Sequence, residues 1–149
     1  MIVQKFKVLR PIMIGMPVEG VILDNSGVIP RSVQHIFRHL DECSSDYNVK
    51  VSHLEIYNES MVDLLGNSDS ERLRLVPDER NGTNVMNLEE VVVHSAAEIF
   101  TVLSRGQERR RVAETKCNKY SSRSHCIFTI TIHMKDYKYD ISGYLCLLY

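Results

Sequence analysis

The sequence lacks the features that mark several common classes of protein. Its four cysteines are scattered, contain no CxxC pair and form no combined cluster with the histidines. A zinc site is therefore not expected, and so loose a set of cysteines makes a poor disulfide framework, which favours a reducing compartment such as the cytosol or nucleus. Three histidines in or beside periodic segments are expected to be surface or core residues rather than ligands: His35, His39 and His53.

Long apolar runs and a strong net charge are also missing. The apolar stretch from Pro11 to Val18 is short and contains two prolines, so neither a signal peptide nor a transmembrane helix is expected. The chain has 18 Lys+Arg against 19 Asp+Glu, a net charge of −1, which gives no support for bulk attraction to nucleic acid or to a membrane. With 149 residues, of which 44% are hydrophobic and 25% charged, the composition is that of one globular domain.

Charge is nevertheless uneven along the chain. The segment 41–90 holds twelve acidic and four basic residues, whereas 105–123 holds seven basic and two acidic ones. One interpretation is a solvated helix face that docks against the acidic segment, and the other is a site for an anionic partner.

The hydrophobic pattern predicts alternating helices and strands, hence an α/β domain. After Pro30, apolar residues recur at helical spacing and predict an amphipathic helix over Arg31–Glu42. The segment VKVSHLEIY, at 49–57, is typical of a mostly buried strand, and NESMVDLLG is expected to form a short helix that ends at Gly66.

The second half of the chain continues this alternation. A hairpin is predicted around Asn81-Gly82, with a return strand over Val85–Val93. Ser95 and Glu98 form a capping box that begins a helix ending near Arg105, before Gly106. The alternating run CIFTITIHM, at 126–134, predicts the strongest strand, and the tail at 136–149 has turn signals but no assigned element.

The densest group of polar side chains lies just before that strand, in Asn118–His125. Adjacent hydroxyls, an amide and an arginine are groups that a phosphate-sensing loop would use. A structural or phosphorylated serine-rich loop is the plainer interpretation. A nucleophile and base at Ser122 and His125 is a third, but no G-x-S-x-G elbow accompanies them.

These residues carry a family resemblance. Asn118–His125 resembles the NxxSSRSH switch I motif of kinesin motor domains, and LEIYNE, at 54–59, is similar to the strand and turn that precede it there. GVIPR, at 27–31, resembles the segment after the kinesin phosphate-binding helix, and the strand FTITIHMK resembles the one after switch I. SERLRL, NLEEVVVHSAAEIF and TIHMK are most similar to the bipolar spindle motors of the BimC type.

The resemblance implies a role for each matching residue. Ser121 would relay a proton from the attacking water, Ser122 would face Mg²⁺ through water and the γ-phosphate of ATP, and Asn118 would brace the loop beside the nucleotide. Arg123 would pair with a switch II glutamate. Arg80, in the hairpin turn, would contact tubulin. The resemblance further implies microtubules and other kinesin chains as partners, and a place in the cytoplasm on spindle microtubules.

Two motifs of the family are absent from these 149 residues. No GxxxxGK[ST] loop precedes MPVEG, where the sequence reads KFKVLRPIMIG, and no DLAGSE follows Lys135. We therefore expect the central, incomplete part of a kinesin-type mixed sheet flanked by helices, with partly uncovered helix faces. The predicted divisions are an unassigned segment at 1–18, a partial motor domain at 19–135 and a divergent tail at 136–149.

The functional expectation is a kinesin-like microtubule motor by family, with this chain inactive by itself. The family is a microtubule-stimulated ATPase, but the missing motifs leave open whether this chain is an enzyme. The alternative is a non-catalytic tubulin-binding or regulatory module that uses basic residues near Arg109–Arg111.

Overall fold

A computed structural model of the chain describes residues 4–7, 27–42, 46–66, 72–78, 82–116, 124–135 and 140–148. Within these ranges the elements are, in chain order, β1 (Gln4–Lys7), α1 (Val28–Glu42), β2 (Asp46–Tyr57), β3 (Ser60–Asp63), β4 (Arg74–Asp78), β5 (Gly82–Met86), β6 (Val91–Val93), α2 (Ala96–Lys116), β7 (His125–Lys135) and β8 (Asp140–Leu148). The predicted α/β class is confirmed.

The strands form one main sheet and a separate hairpin. The main sheet has the order β1-β8-β7-β2-β3, and β6 pairs with β2 beside β3. Its centre is the antiparallel pair of β2 and β7, which extends from Asp46 opposite Lys135 to Ile56 opposite His125. β8 is antiparallel to β7, whereas β1 is parallel to β8, so the sheet is mixed as expected. β4 and β5 pair only with each other among the described strands.

The core lies between this sheet and the two helices. Alternation in a strand places Val49 and Val51 of β2 on one face, and Phe128 and Ile130 of β7 share it across the ladder. Those residues are buried together with apolar side chains of both helices, among them Val33 and Phe37 of α1 and Ile99 and Leu103 of α2. The expectation of partly uncovered helix faces is therefore wrong for the described residues, because this sheet face covers them.

The predicted short helix after β2 is also wrong. Asn58 and Glu59 both have positive φ, 46° and 61°, and form a two-residue turn that returns the chain as β3. Primed turns of this kind match the twist of paired strands. Pairing with β2 outweighs the local helical pattern of this segment, and the chain then bends at Leu64–Gly66.

The hairpin is present, but its predicted return strand is too long. β5 ends at Met86, and Asn87 adopts a left-handed conformation with φ of 65°. The chain leaves the hairpin there, and Val91–Val93 pair with Val49–Val51 of β2 instead. The residues predicted to form one return strand therefore form two strands, β5 and β6, which belong to different sheets.

The helix α2 begins as predicted and ends later. The backbone N–H of Glu98 donates to Ser95 Oγ at 3.3 Å, and Glu98 Oε2 accepts from the N–H of His94 at 2.8 Å, so the capping interaction is present. The predicted end near Arg105 is wrong, because α2 continues through Gly106 to Lys116.

The alternation in β7 is confirmed, since Cys126, Phe128 and Ile130 are fully buried. The tail, to which no element was assigned, contains the strand β8 at Asp140–Leu148, which pairs along β7. The turn residues near the start of the tail gave no indication of this strand, although its partner β7 is the strand immediately before it in the chain.

Candidate functional site

The predicted site residues lie outside the described part of the chain. These are Asn118, Ser121, Ser122 and Arg123 of the NxxSSRSH segment, together with Arg80 of the hairpin turn. The structure describes both flanks of the segment: α2 ends at Lys116, and Ser124, which is 1% exposed, leads into β7. The described part of the site therefore consists of these two flanks.

Successive contacts between α2 and β2 are separated by similar distances along the two elements. Gly106 lies against His53, and Arg110 contacts Glu55. Four residues of helix rise by roughly 6 Å, and two residues of strand by roughly 6.8 Å. The two steps are close enough that successive contacts stay in register along the same face of the sheet.

Arg110 joins three elements at that face. Its Nε donates to Glu55 Oε1 at 3.1 Å, and its Nη2 donates to Ser124 Oγ at 2.8 Å. The ion-paired side chains are only 13% and 10% exposed. We call this set of Arg110, Glu55 and Ser124 the Arg110 bridge. It fixes the residue that follows 117–123 to the helix that precedes them.

Two other arginines of α2 bind the loop after β3. Arg105 Nη2 donates to the carbonyl of Leu65 at 3.3 Å, and Arg109 Nη1 donates to the carbonyls of Leu64 and Gly66. Charged donors on main-chain carbonyls are the stronger kind of hydrogen bond.

These contacts support the docked-helix interpretation for the described arginines of the basic segment. Arg109 and Arg110 are directed inward, and Arg110 pairs with an acidic residue of 41–90, as the docked-helix interpretation predicts. Of the Arg109–Arg111 group that the tubulin-binding alternative invoked, Arg111 is the exposed member.

Asp63 organises the same loop from the other side. Its Oδ1 accepts from the backbone N–H groups of Leu65 at 2.8 Å and Gly66 at 2.9 Å, and its Oδ2 accepts from the N–H of Glu89 at 2.7 Å. The loop Leu64–Gly66 is thereby held between Asp63 and α2, and the carboxylate also links β3 to the residues before β6.

His53 is fully buried beneath α2, and its ring packs edge-on against Phe128, with ring centroids 5.4 Å apart. Burial, followed by the nearby Arg110 charge, lowers the pKa of His53 to about 4, against the weaker opposing effect of Asp63. The ring is therefore neutral at physiological pH and acts as a core residue, as the sequence predicts.

No metal centre is found in the described ranges, where His, Cys, Asp and Glu form no group of three or more that could hold an ion. His35 and His39 are four residues apart on the exposed side of α1, without a third ligand of that kind. Among the described helices, none is long and apolar enough to cross a membrane.

Comparisons with known proteins place this geometry in a family. The family model described as the kinesin motor domain matches residues 14–148. The chain belongs to the kinesin motor family. The matched range runs across the segment boundaries predicted at residues 18 and 135. These boundaries stay predictions.

Individual relatives agree with that assignment. The chain is 46% identical over 126 residues to the kinesin-like protein KIN-5C of Nicotiana tabacum, which covers 78% of this chain and 12% of the relative. It is 48% identical over 119 residues to the kinesin-like protein KIF11 of Xenopus tropicalis, with 77% and 11% covered. These relatives support the predicted resemblance to BimC-type kinesins.

A solved structure of a fast kinesin superposes with a TM-score of 0.77 at 40% identity, covering 84% of this chain and 36% of that one. The kinesin-type fold is therefore confirmed for this chain, which spans about one eighth of the length of its curated relatives.

The Arg110 bridge holds Ser124, the first described residue of the segment resembling switch I. The sequence analysis included Glu55 and Ser124 only as members of the LEIYNE and SSRSH motifs. It did not predict that Arg110 contacts either of them. Nothing in the run of three arginines at 109–111 distinguishes the one that faces the sheet, because that depends on the rotation of α2.

The sequence lacks one pattern of residues that binds the phosphates of a nucleotide. A phosphate cradle needs a glycine-rich loop with its lysine and hydroxyl, and the GxxxxGK[ST] pattern is absent from the sequence. Arg110 is engaged with Glu55, and Arg109 with main-chain carbonyls.

Proposed function

We propose that this chain is the switch I portion of a microtubule motor of the bipolar spindle type. The observation that carries the proposal is the match of the kinesin motor domain to residues 14–148, a range that includes the NxxSSRSH sequence at 118–125. The solved structure of a fast kinesin has implications for that protein's ATPase mechanism and its interactions with microtubules. The corresponding whole protein would use ATP and Mg²⁺ and act on spindle microtubules in the cytoplasm.

The proposed roles within the switch follow the family pattern. Ser121 is the hydroxyl that passes on the proton of the attacking water, Ser122 faces Mg²⁺ through water, and Asn118 braces the loop beside the nucleotide. Arg123 closes the phosphate pocket by pairing with a switch II glutamate. These roles belong to a motor that also supplies the phosphate-binding loop.

The 149-residue chain by itself is proposed to be inactive as an ATPase. Without the lysine and hydroxyl of GxxxxGK[ST], the charge of the β- and γ-phosphates has no preorganised partner, so nucleotide affinity falls severely. Its proposed contact with tubulin is Arg80, which follows β4 and precedes β5 in the sequence.

Two assays on the purified chain test these statements. ATP turnover should stay at background with and without microtubules, and turnover that Arg123→Ala abolishes would overturn the proposed inactivity. Co-sedimentation with microtubules should weaken with added salt and with Arg80→Ala, because salt screens an ionic contact between two proteins. Arg31→Ala, which removes an exposed arginine of α1, is the matched control. Absence of binding at every salt concentration would exclude the Arg80 contact.

The transcript around this frame tests the family role directly. An encoded GxxxxGK[ST] upstream and DLAGSE downstream would make this chain part of a working motor. Their absence from the transcript would count against motor activity in the organism.

A further inference from the structure

Arg110 occupies a position at which three elements meet. It projects from α2, pairs with Glu55 of β2, and donates to Ser124, the residue immediately before β7. We propose that Arg110 is a positioning residue for switch I, which holds Ser124, the last serine of SSRSH, in place against β2 and α2. This inference rests on the proposed function only in that the segment it positions is the nucleotide switch.

The strand register explains why a single side chain reaches both partners. Glu55 lies directly opposite Cys126 in the β2–β7 ladder, so the two side chains share a face. Ser124 is two residues before Cys126, and alternation places it on that face as well. One guanidinium above Glu55 therefore lies above Ser124 too.

The contact requires the forked geometry of arginine. Nε and Nη2 are separate nitrogens of one rigid plane, and they donate to different partners at 3.1 and 2.8 Å. A lysine would keep the positive charge beside Glu55, but it carries a single nitrogen on a flexible stem. Arg110→Lys is therefore expected to preserve the ion pair while losing the hold on Ser124.

The helix that carries Arg110 is itself fixed at neighbouring points. Gly106, one turn earlier, packs closely on His53, and Arg105 and Arg109 bind the carbonyls of the loop Leu64–Gly66. The guanidinium thus has a defined height and rotation over the sheet. Ser124 is positioned by a braced group rather than by a free surface side chain.

Backbone amide exchange of the full 149-residue chain tests the proposal without nucleotide or microtubules. In Arg110→Lys and in Ser124→Ala, the amides of His125 and Cys126 should exchange roughly tenfold faster than in the parent chain, relative to amides at the centre of β7. Urea unfolding of each variant separates this local change from a global loss of stability.

A matched ion pair provides the control. Lys50 Nζ and Glu90 Oε2 are also 3.1 Å apart, but their side chains are 37% and 49% exposed, and they do not contact Ser124. Lys50→Met should leave exchange at His125 and Cys126 unchanged. Arg110→Met, which removes both contacts, should show the largest local increase of the set.

The outcomes separate this inference from the proposed function. Unchanged exchange at His125 and Cys126 in Arg110→Lys and Ser124→Ala would overturn the positioning role, whatever the microtubule assay shows. Faster exchange there supports it even when co-sedimentation fails, a result that counts against the proposed function alone. An equal rise at all β7 amides would show that Arg110 acts only on global stability and would also overturn the proposal.

Discussion

Gly106 of α2 lies so close to His53 of β2 that the two backbones are separated only by the imidazole ring. A Cβ built on Gly106 would overlap His53 Nδ1 and approach Cε1 at 2.9 Å. Glycine is usually unfavourable inside a helix by about 1 kcal/mol relative to alanine. Here it allows the close approach that brings Arg110 over Glu55.

Replacing Gly106 with alanine should therefore destabilise the protein despite the better helix propensity. We expect Gly106→Ala to lower the free energy of unfolding by about 1–3 kcal/mol, because the added methyl group overpacks a buried ring. Urea denaturation measures the change. Ser104→Ala, at an exposed position of the same helix, should be neutral or slightly stabilising, and a stabilising Gly106→Ala would contradict the close packing.

Acid should destabilise the fold through His53. The unfolded imidazole binds its proton near its usual pKa of 6.5, whereas the folded pKa is lowered to about 4, so the unfolded state binds more protons between these values. The contribution of neutral His53 to the free energy of unfolding is therefore present in full well above pH 6.5. The free energy of unfolding falls as pH decreases, by about 2 kcal/mol between pH 8 and pH 5. Urea denaturation midpoints measured between pH 8 and pH 5 test this predicted decrease.

The matched variant for that profile is His53→Gln, which keeps a polar side chain but does not titrate. Its free energy of unfolding should depend less on pH between 8 and 5 than that of the parent chain. Equal slopes for the two proteins would show that another group governs the acid response.

Removing the carboxylate of Asp63 should loosen the loop Leu64–Gly66. Asp63→Asn replaces one acceptor oxygen with a donor, so at least one of three backbone N–H groups loses its partner. The expected cost is about 1–3 kcal/mol in the free energy of unfolding, measured by urea denaturation. Asp46→Asn, at an exposed position in β2, is the control and should change stability little.

The turn between β2 and β3 offers a stabilising change. Glu59 is exposed and has a φ of 61°, a conformation that costs a non-glycine residue free energy. Glu59→Gly should raise the free energy of unfolding by up to about 1 kcal/mol, since glycine is favoured at the second central position of such a turn. Thr83→Gly, in the regular strand β5, should instead destabilise. A loss of stability in Glu59→Gly would indicate that the carboxylate makes a stabilising contact.

Local patterns determined much of this fold before any long-range contact was considered. The spacing of Val33 and Phe37 predicted α1, the strict alternation of Cys126, Phe128 and Ile130 predicted β7, and Ser95 with Glu98 predicted the start of α2. The SSRSH motif pointed to the kinesin family, which the comparisons confirm. Each of these signals is encoded within a few neighbouring residues.

Tertiary structure alone decided the remaining features. Gly106 was predicted to end a helix, because local sequence does not show that it packs closely on His53, which is far away in sequence. The segment of β3 has a local helical pattern, but it is a strand because its pairing with β2 outweighs that propensity. Arg110 was one of three adjacent arginines until the rotation of α2 placed it over Glu55 and Ser124. The sequence by itself determined the motifs and most of the elements, whereas the contacts that hold them together depend on distances between segments that only the packed sheet and helices establish.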